Sequence, residues 1–148
     1  MEVFLFCSKN IHTHINIILH KDNVEELDKM IEFVDNLIVG GGMAYTFMKA
    51  QGHNIGTSIC EDDKLDLANE ILSKSNGKII LPIDVVVTKE FAADADFRTT
   101  GYKGLKDDEM GLDIGAKSLK LFTKELKGAK TVVWNGPMGV FEFENFAK

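Results

Sequence analysis

Apolar and polar positions alternate along this chain in blocks, some at helical spacing and some as short unbroken runs. Val24, Leu27, Ile31 and Val34 recur every three or four residues, which predicts an amphipathic helix from Asp22 onward with one buried stripe. Asn23 followed by Glu26 fits a capping box at its start, and Asp35-Asn36 ends it. Leu37-Ile38-Val39 is wholly apolar, the pattern of a strand covered on both faces. A helical stretch follows from about Met43 to Gln51, closed by Gly52. Asp62 or Asp63 is expected to cap the next helix, with Leu65, Ala68, Ile71 and Leu72 inward and Gly77 at its end. Ile79 to Val87 reads as a second buried strand, in which Pro82 implies an edge or bulge.

Residues from about Lys89 to Gly111 hold no long periodic segment, as in a functional loop or a set of short extra strands. Asp113 or Ser118 is expected to cap a helix that turns Leu119, Phe122 and Leu126 to one side and stops at Gly128. Thr131 to Trp134 predicts a last buried strand, and the sequence closes on Phe146-Ala147-Lys148, inside or just past a helix. Helix and strand alternate throughout, which predicts an α/β fold with a parallel sheet and right-handed crossovers. Residues 1–22 stand apart. Val3 to Cys7 and Ile15 to Leu19 are apolar and rich in β-branched residues, either side of Ser8-Lys9-Asn10, and read as two short strands or a loosely packed extension.

Composition narrows the function classes. The 148 residues suffice for one sizeable core, and 45% apolar content is that of an ordinary globular protein. A net charge of -6 argues against nucleic acid, whose backbone is met by clustered Lys and Arg. No apolar run reaches the roughly 20 residues of a bilayer span, so no membrane partner is expected. Cys7 and Cys60 form no metal spacing, and a reducing, cytoplasmic setting is expected.

Candidate chemistry concentrates where apolar runs end. In an open α/β sheet, ligands sit at the carboxyl ends of strands. Leu37-Ile38-Val39 runs into Gly40-Gly41-Gly42 at a helix start, where a flat ring or a phosphate can approach the backbone; a plain tight turn reads the same way. Val133-Trp134 runs into Asn135-Gly136-Pro137, which puts an amide side chain in a rigid turn. Glu142 offers a carboxylate suited to a ribose diol, or is a solvated surface acid. Asp84, in an apolar strand, is either a strand-end functional acid or a structural hydrogen-bond anchor. His12 and His14 share a face of any strand but lack a third metal ligand; His20 and His53 are isolated.

Five ordered motifs tie these ends together. They are Leu37-Ile38-Val39-Gly40-Gly41-Gly42-Met43-Ala44-Tyr45-Thr46-Phe47, Ile55-Gly56-Thr57-Ser58, Leu81-Pro82-Ile83-Asp84, Met110-Gly111-Leu112-Asp113-Ile114-Gly115 and Val133-Trp134-Asn135-Gly136-Pro137-Met138-Gly139-Val140-Phe141-Glu142. In this order, over about residues 23–148, they resemble phosphoglycerate kinase. The resemblance implies part of that family's C-terminal nucleotide-binding domain, a Rossmann-like three-layer parallel sheet with flanking helices, incomplete relative to the family domain, behind a divergent segment 1–22.

The family moves a phosphoryl group between 1,3-bisphosphoglycerate and ADP in glycolysis. By resemblance, Gly41, Gly42, Gly111 and Leu112 line an adenine pocket with Ile59 near it. Glu142 holds the ribose, Asn135 and Gly136 lie by the phosphates, and Pro137 and Val140 pack on the nucleoside. ATP or ADP is the implied ligand, with Mg2+ expected for the family. The family's Gly/Ala-Lys loop has no counterpart before the first helix, where Lys21 lacks flanking glycines. The family's Gly-Gly-Gly-Asp loop, whose aspartate binds magnesium, would come after Lys148. Residues 1–148 alone are therefore expected to be inactive, with an open sheet edge prone to self-association.

Overall fold

The computed structural model describes residues 2–8, 24–140 and 142–143, with the backbone alone described through residue 26. The expectations for Ile15 to Leu19, His12, His14, His20, Lys21, the Asn23–Glu26 capping box and Phe146-Ala147-Lys148 lie outside what is described. Elements follow in the order β1 (Glu2–Ser8), α1 (Val24–Ile31), β2 (Asn36–Gly40), α2 (Gly41–Ala50), α3 (Leu65–Lys74), β3 (Ile79–Ile80), β4 (Asp84–Thr88), β5 (Phe97–Gly101), β6 (Met110–Ile114), α4 (Ala116–Leu126) and β7 (Thr131–Asn135).

Leu27 and Ile31 of α1 pack into the main core as their spacing predicts; Val34 joins them, but α1 ends at Ile31 rather than at Asp35-Asn36, so Val34 gets there from the turn beyond the helix. That core also takes Leu37 and Val39 from one face of β2, Met43 and Phe47 from α2, and Ala68 and Ile71 from α3. The opposite face of β2 sends Ile38 to a smaller cluster with Phe122 of α4. Strand β2 thus has apolar cover on both faces, which is why Leu37 to Val39 shows no alternation.

The α/β class stands, but the strand directions are mixed rather than uniformly parallel. One sheet runs β3-β2-β1-β7 and the other β5-β4-β6. Strands β2 and β3 are parallel, whereas β1 enters between β2 and β7 antiparallel to both, Phe4 facing Val39 on one side and Asn135 on the other. Strand β4 is antiparallel to β5 and β6. Periodicity reports which face of a strand is buried and carries no information about its direction.

Several local expectations are corrected. Ile79 to Val87 is not one strand: β3 and β4 belong to different sheets, and the buried Pro82 lies in the break, where the missing N–H suits an unpaired position. Asp62 and Asp63 sit in a 3-10 turn, Asp62–Lys64, and α3 begins at Leu65 without a side-chain cap. Neither Asp113 nor Ser118 is the N-cap of α4, which is Gly115. Leu119 is 57% exposed rather than inward. Strand β7 buries neither Val132 nor Trp134, at 45% and 60% exposed, because only its alternate positions meet the core.

Asp84 resolves as a structural anchor. Its Oδ2 accepts the Lys117 N–H at 3.0 Å, and its Oδ1 accepts the Ser118 N–H at 2.7 Å and the Ser118 hydroxyl at 2.6 Å. A residue of β4 thereby supplies the cap that glycine cannot give α4, and places a negative charge at the helix N-terminus. Burial pushes the Asp84 carboxyl up, but the hydrogen bonds from Ser118 and Lys117 outweigh it and hold the net position below the usual aspartate range. Among the described residues, no helix is long and apolar enough to cross a membrane.

Candidate functional site

A cleft of about 450 Å3 lies between the start of α2, strands β4 and β6, and the loop beyond β7. Three widely separated chain segments build most of it: the β2–α2 junction, the strand β6, and the loop beyond β7. Each is local in origin. The glycines at 40–42 let strand turn into helix at once, with Gly40 as the N-cap and Gly41 and Gly42 opening α2 at the cleft wall. Strand β6 is held by Ser58, whose hydroxyl accepts the Gly111 N–H at 2.9 Å. The loop is tied back across β6 by the Val140 N–H, which donates to the Leu112 carbonyl at 2.9 Å.

Gly111 is required by contact. A Cβ there would overlap the hydroxyl of Tyr45, whose ring is buried under the cleft floor. Burial, followed by the nearby charge of Asp113, pushes the Tyr45 phenol far above its ordinary range, so it stays neutral. Burial also raises Asp113, to about 6, against the pull of the Ile114 N–H. Phe91 lines one side, and its ring meets that of Phe143 at 4.9 Å between centroids. No Lys or Arg lines the cleft among the described residues.

The structure brings together Gly41, Gly42, Ile59, Gly111, Leu112, Val140 and Glu142 in this one cleft. Ile59 is 69% exposed there, and Glu142 is exposed as well. Asn135 ends β7, and Gly136 and Pro137 follow on its turn; none of the three lines the cleft. The chain returns to the cleft at Met138. The sequence reading missed Tyr45 and Asp113 as wall residues. Asp113 was not readable by strand period, because β6 shifts register against β4 between Gly111 and Asp113, where Val87 faces Gly111 and Val86 faces Asp113. Tyr45 had no local signal either, because its place depends on how α2 docks against β6.

The described residues do not fit a magnesium site: no three His, Cys, Asp or Glu side chains converge among them. A polar hollow on the outer side of β4 and β5 is dominated by an ion pair, in which Arg98 donates to both Glu109 oxygens at 2.8 and 2.7 Å. Arg98 first, helped by the Lys106 N–H, holds the Glu109 carboxyl down at about 2 despite burial.

Comparison with known proteins bears on the same stretch. A family model described as phosphoglycerate kinase matches residues 20–148. The phosphoglycerate kinase of Enterococcus faecalis is 56% identical over 127 residues, which is 86% of this chain and 32% of that protein. That of Lactobacillus delbrueckii subsp. bulgaricus is 57% identical over 127 residues, again 86% of this chain and 31% of the relative. Among solved structures, phosphoglycerate kinase from Coxiella burnetii superposes with a TM-score of 0.79 at 41% identity, over 82% of this chain and 32% of that one. The Pyrococcus horikoshii enzyme gives 0.69 at 26% identity, over 86% and 35%. The chain thus spans about a third of the length of the relatives it matches.

Proposed function

This chain belongs to the phosphoglycerate kinase family, and from that premise we propose that its cleft takes the adenine and ribose of ADP or ATP. The observation that carries this is convergence: three of the family-like motifs, far apart in sequence, meet as three walls of a single cleft. Backbone at Gly41, Gly42 and Gly111 leaves room for a flat ring, and Leu112 and Val140 give it apolar faces. Ile59 covers the ring from the mouth. Glu142 accepts hydrogen bonds from the ribose diol. Asn135, Gly136 and Pro137, on the turn outside the cleft, belong to the phosphate end of the ligand.

In the family's glycolytic reaction the ligand exchanges a phosphoryl group with a phosphoglycerate. Such transfer rests on positioning and on cations that stabilise charge spread over the phosphoryl oxygens. The cleft offers no such cation among its described residues. Residues 1–148 on their own therefore hold the nucleoside and do not turn it over, and a cytoplasmic setting follows from the glycolytic reading.

Calorimetric titration of the purified chain with ADP tests the binding half. Saturable binding that weakens roughly tenfold in Glu142→Ala is the expected result, for loss of charge-assisted hydrogen bonds. A folded chain that gives no heat with ADP sinks the reading. A coupled assay for ATP formation from ADP and 1,3-bisphosphoglycerate tests the other half, and turnover at the rate of a complete family member would overturn it.

A further inference from the structure

Arg98 and Glu109 line the outer hollow and take no place in the cleft wall. Their pair is nonetheless tied to that wall by a short chain of hydrogen bonds. The Glu109 side chain is 5% exposed and that of Arg98 42%. Besides Arg98, the Glu109 carboxylate accepts the Lys106 N–H at 3.1 Å, and Arg98 Nη2 also donates to the Gly104 carbonyl at 3.1 Å. The turn at 104–109 is thereby fixed to β5. The loop at 54–58 is built on that turn. The Thr57 N–H donates to the Glu109 carbonyl at 2.9 Å, and Asn54 Nδ2 donates to the Leu105 carbonyl at 3.1 Å. Gly56 lies so close that a Cβ there would overlap the Lys106 and Glu109 carbonyls. Thr57, Ser58 and Ile59 then line the cleft, and the Ser58 hydroxyl takes the Gly111 N–H of β6.

We propose that Arg98 and Glu109 are positioning residues for the cleft: their pair pins the turn at 104–109, the turn sets Thr57, Ser58 and Ile59, and ligand affinity depends on a pair that never touches the ligand. The inference rests on the nucleotide reading of this cleft. A fork of two parallel N–H donors on one carboxylate fixes direction as well as distance, which a single hydrogen bond does not. Glu109 is bonded at both ends, its carboxylate to β5 and its carbonyl to the loop, so a shift of the side chain reaches Thr57 within one residue. The neighbouring charges Lys89 and Asp108 are engaged with each other at 2.6 Å and replace neither partner. Removing Arg98 leaves the buried carboxylate unpaired, and the turn relaxes towards other donors. A gap of about 0.5–1 Å opened at the wall forfeits about a quarter to a half of each dispersion contact with a bound ring.

Calorimetric titration with ADP separates positioning from bulk stability. Arg98→Met and Glu109→Gln are each expected to weaken binding roughly tenfold, measured where circular dichroism shows the variant folded. The double variant is expected to bind no more weakly than either single one, because the two residues act as a unit. Arg98→Lys keeps the charge and loses the fork, and is expected to fall between wild type and Arg98→Met. Amide exchange at Thr57 and Gly111 quickens in step with the loss of affinity. Lower urea midpoints with wild-type affinity throughout would make the pair structural only, which overturns the proposal and leaves the nucleotide reading standing. Losses that add in the double variant overturn it too. A wild-type chain that gives no heat with ADP overturns both. Should Glu109→Gln fail to fold, the two Arg98 variants, at a half-exposed position, decide alone: equal affinity in wild type, Arg98→Lys and Arg98→Met sinks the idea.

Discussion

At the scale of single residues, this chain places its charges by burial as much as by chemistry. Asp84 and Asp113 are both strand aspartates, yet their carboxyls move in opposite directions. Asp84 is met by two backbone N–H groups and a hydroxyl, whereas Asp113 has one N–H and an apolar wall. Replacing Asp84 by Ala leaves the N-terminus of α4 uncapped, while the Ser118 hydroxyl keeps the backbone carbonyl of residue 84 as an acceptor at 2.8 Å. We expect a loss of about 2–3 kcal/mol, read as a lower urea midpoint. Asp84→Asn should recover part of it, and an unchanged midpoint for Asp84→Ala would show the anchor to be dispensable. The sequence offered Asp84 as anchor or functional acid, with the anchor ahead. An acid in an apolar run announces that it has partners, but here the partners lie 33 and 34 residues away in α4.

At the scale of elements, patterns with a strong period were read well and those without one were not. The stripe of α1 and the doubly covered β2 followed directly from their apolar spacing. The run from Ile79 to Val87 misled because Pro82 was read as a flaw within one strand; it is the joint where the chain leaves one sheet for the other. Strand β7 misled because Val132, Val133 and Trp134 look alike in sequence, and only packing shows that alternate positions face outward. Its exposed Val132 and Trp134 lie on a strand that ends the β3-β2-β1-β7 order among the described residues. Outward apolar side chains on such a strand promote association between copies. Trp134→Lys is expected to raise the monomeric fraction in size-exclusion chromatography and to shift stability by no more than about 0.5 kcal/mol. Equal association by both proteins would place the contact elsewhere.

At the scale of the whole molecule, two displaced carboxyls give stability a pH optimum. Glu109 titrates at about 2 when folded against an ordinary 4.5, so the stability it confers is complete above about 4.5 and is lost as pH falls towards 2. Asp113 titrates at about 6 against an ordinary 3.8, so folding favours its protonated form. Its contribution is complete below about 3.8 and declines as pH rises through 6. The two limbs cross between about pH 4 and 5. Urea midpoints across pH are expected to fall from there towards neutrality, and Asp113→Asn should flatten that limb while leaving the acid limb set by Glu109. A wild-type midpoint that rises through this range would contradict the assignment.

The cleft itself was only partly readable in the sequence. Its glycines and Glu142 declared themselves at strand ends, but the docking of α2 and of the loop beyond β7 against β4 and β6 is a tertiary fact with no local signature. That docking gives the cleft a further role. Its walls come from α2, from β4 and β6, and from the loop beyond β7, so whatever fills it acts as a clasp between these segments. Occupancy feeds back on folding by mass action, adding about 2.7 kcal/mol when free ligand exceeds its dissociation constant a hundredfold. Whether these segments stay docked then becomes a function of ligand supply, and the chain's lifetime against proteases would follow its ligand's concentration.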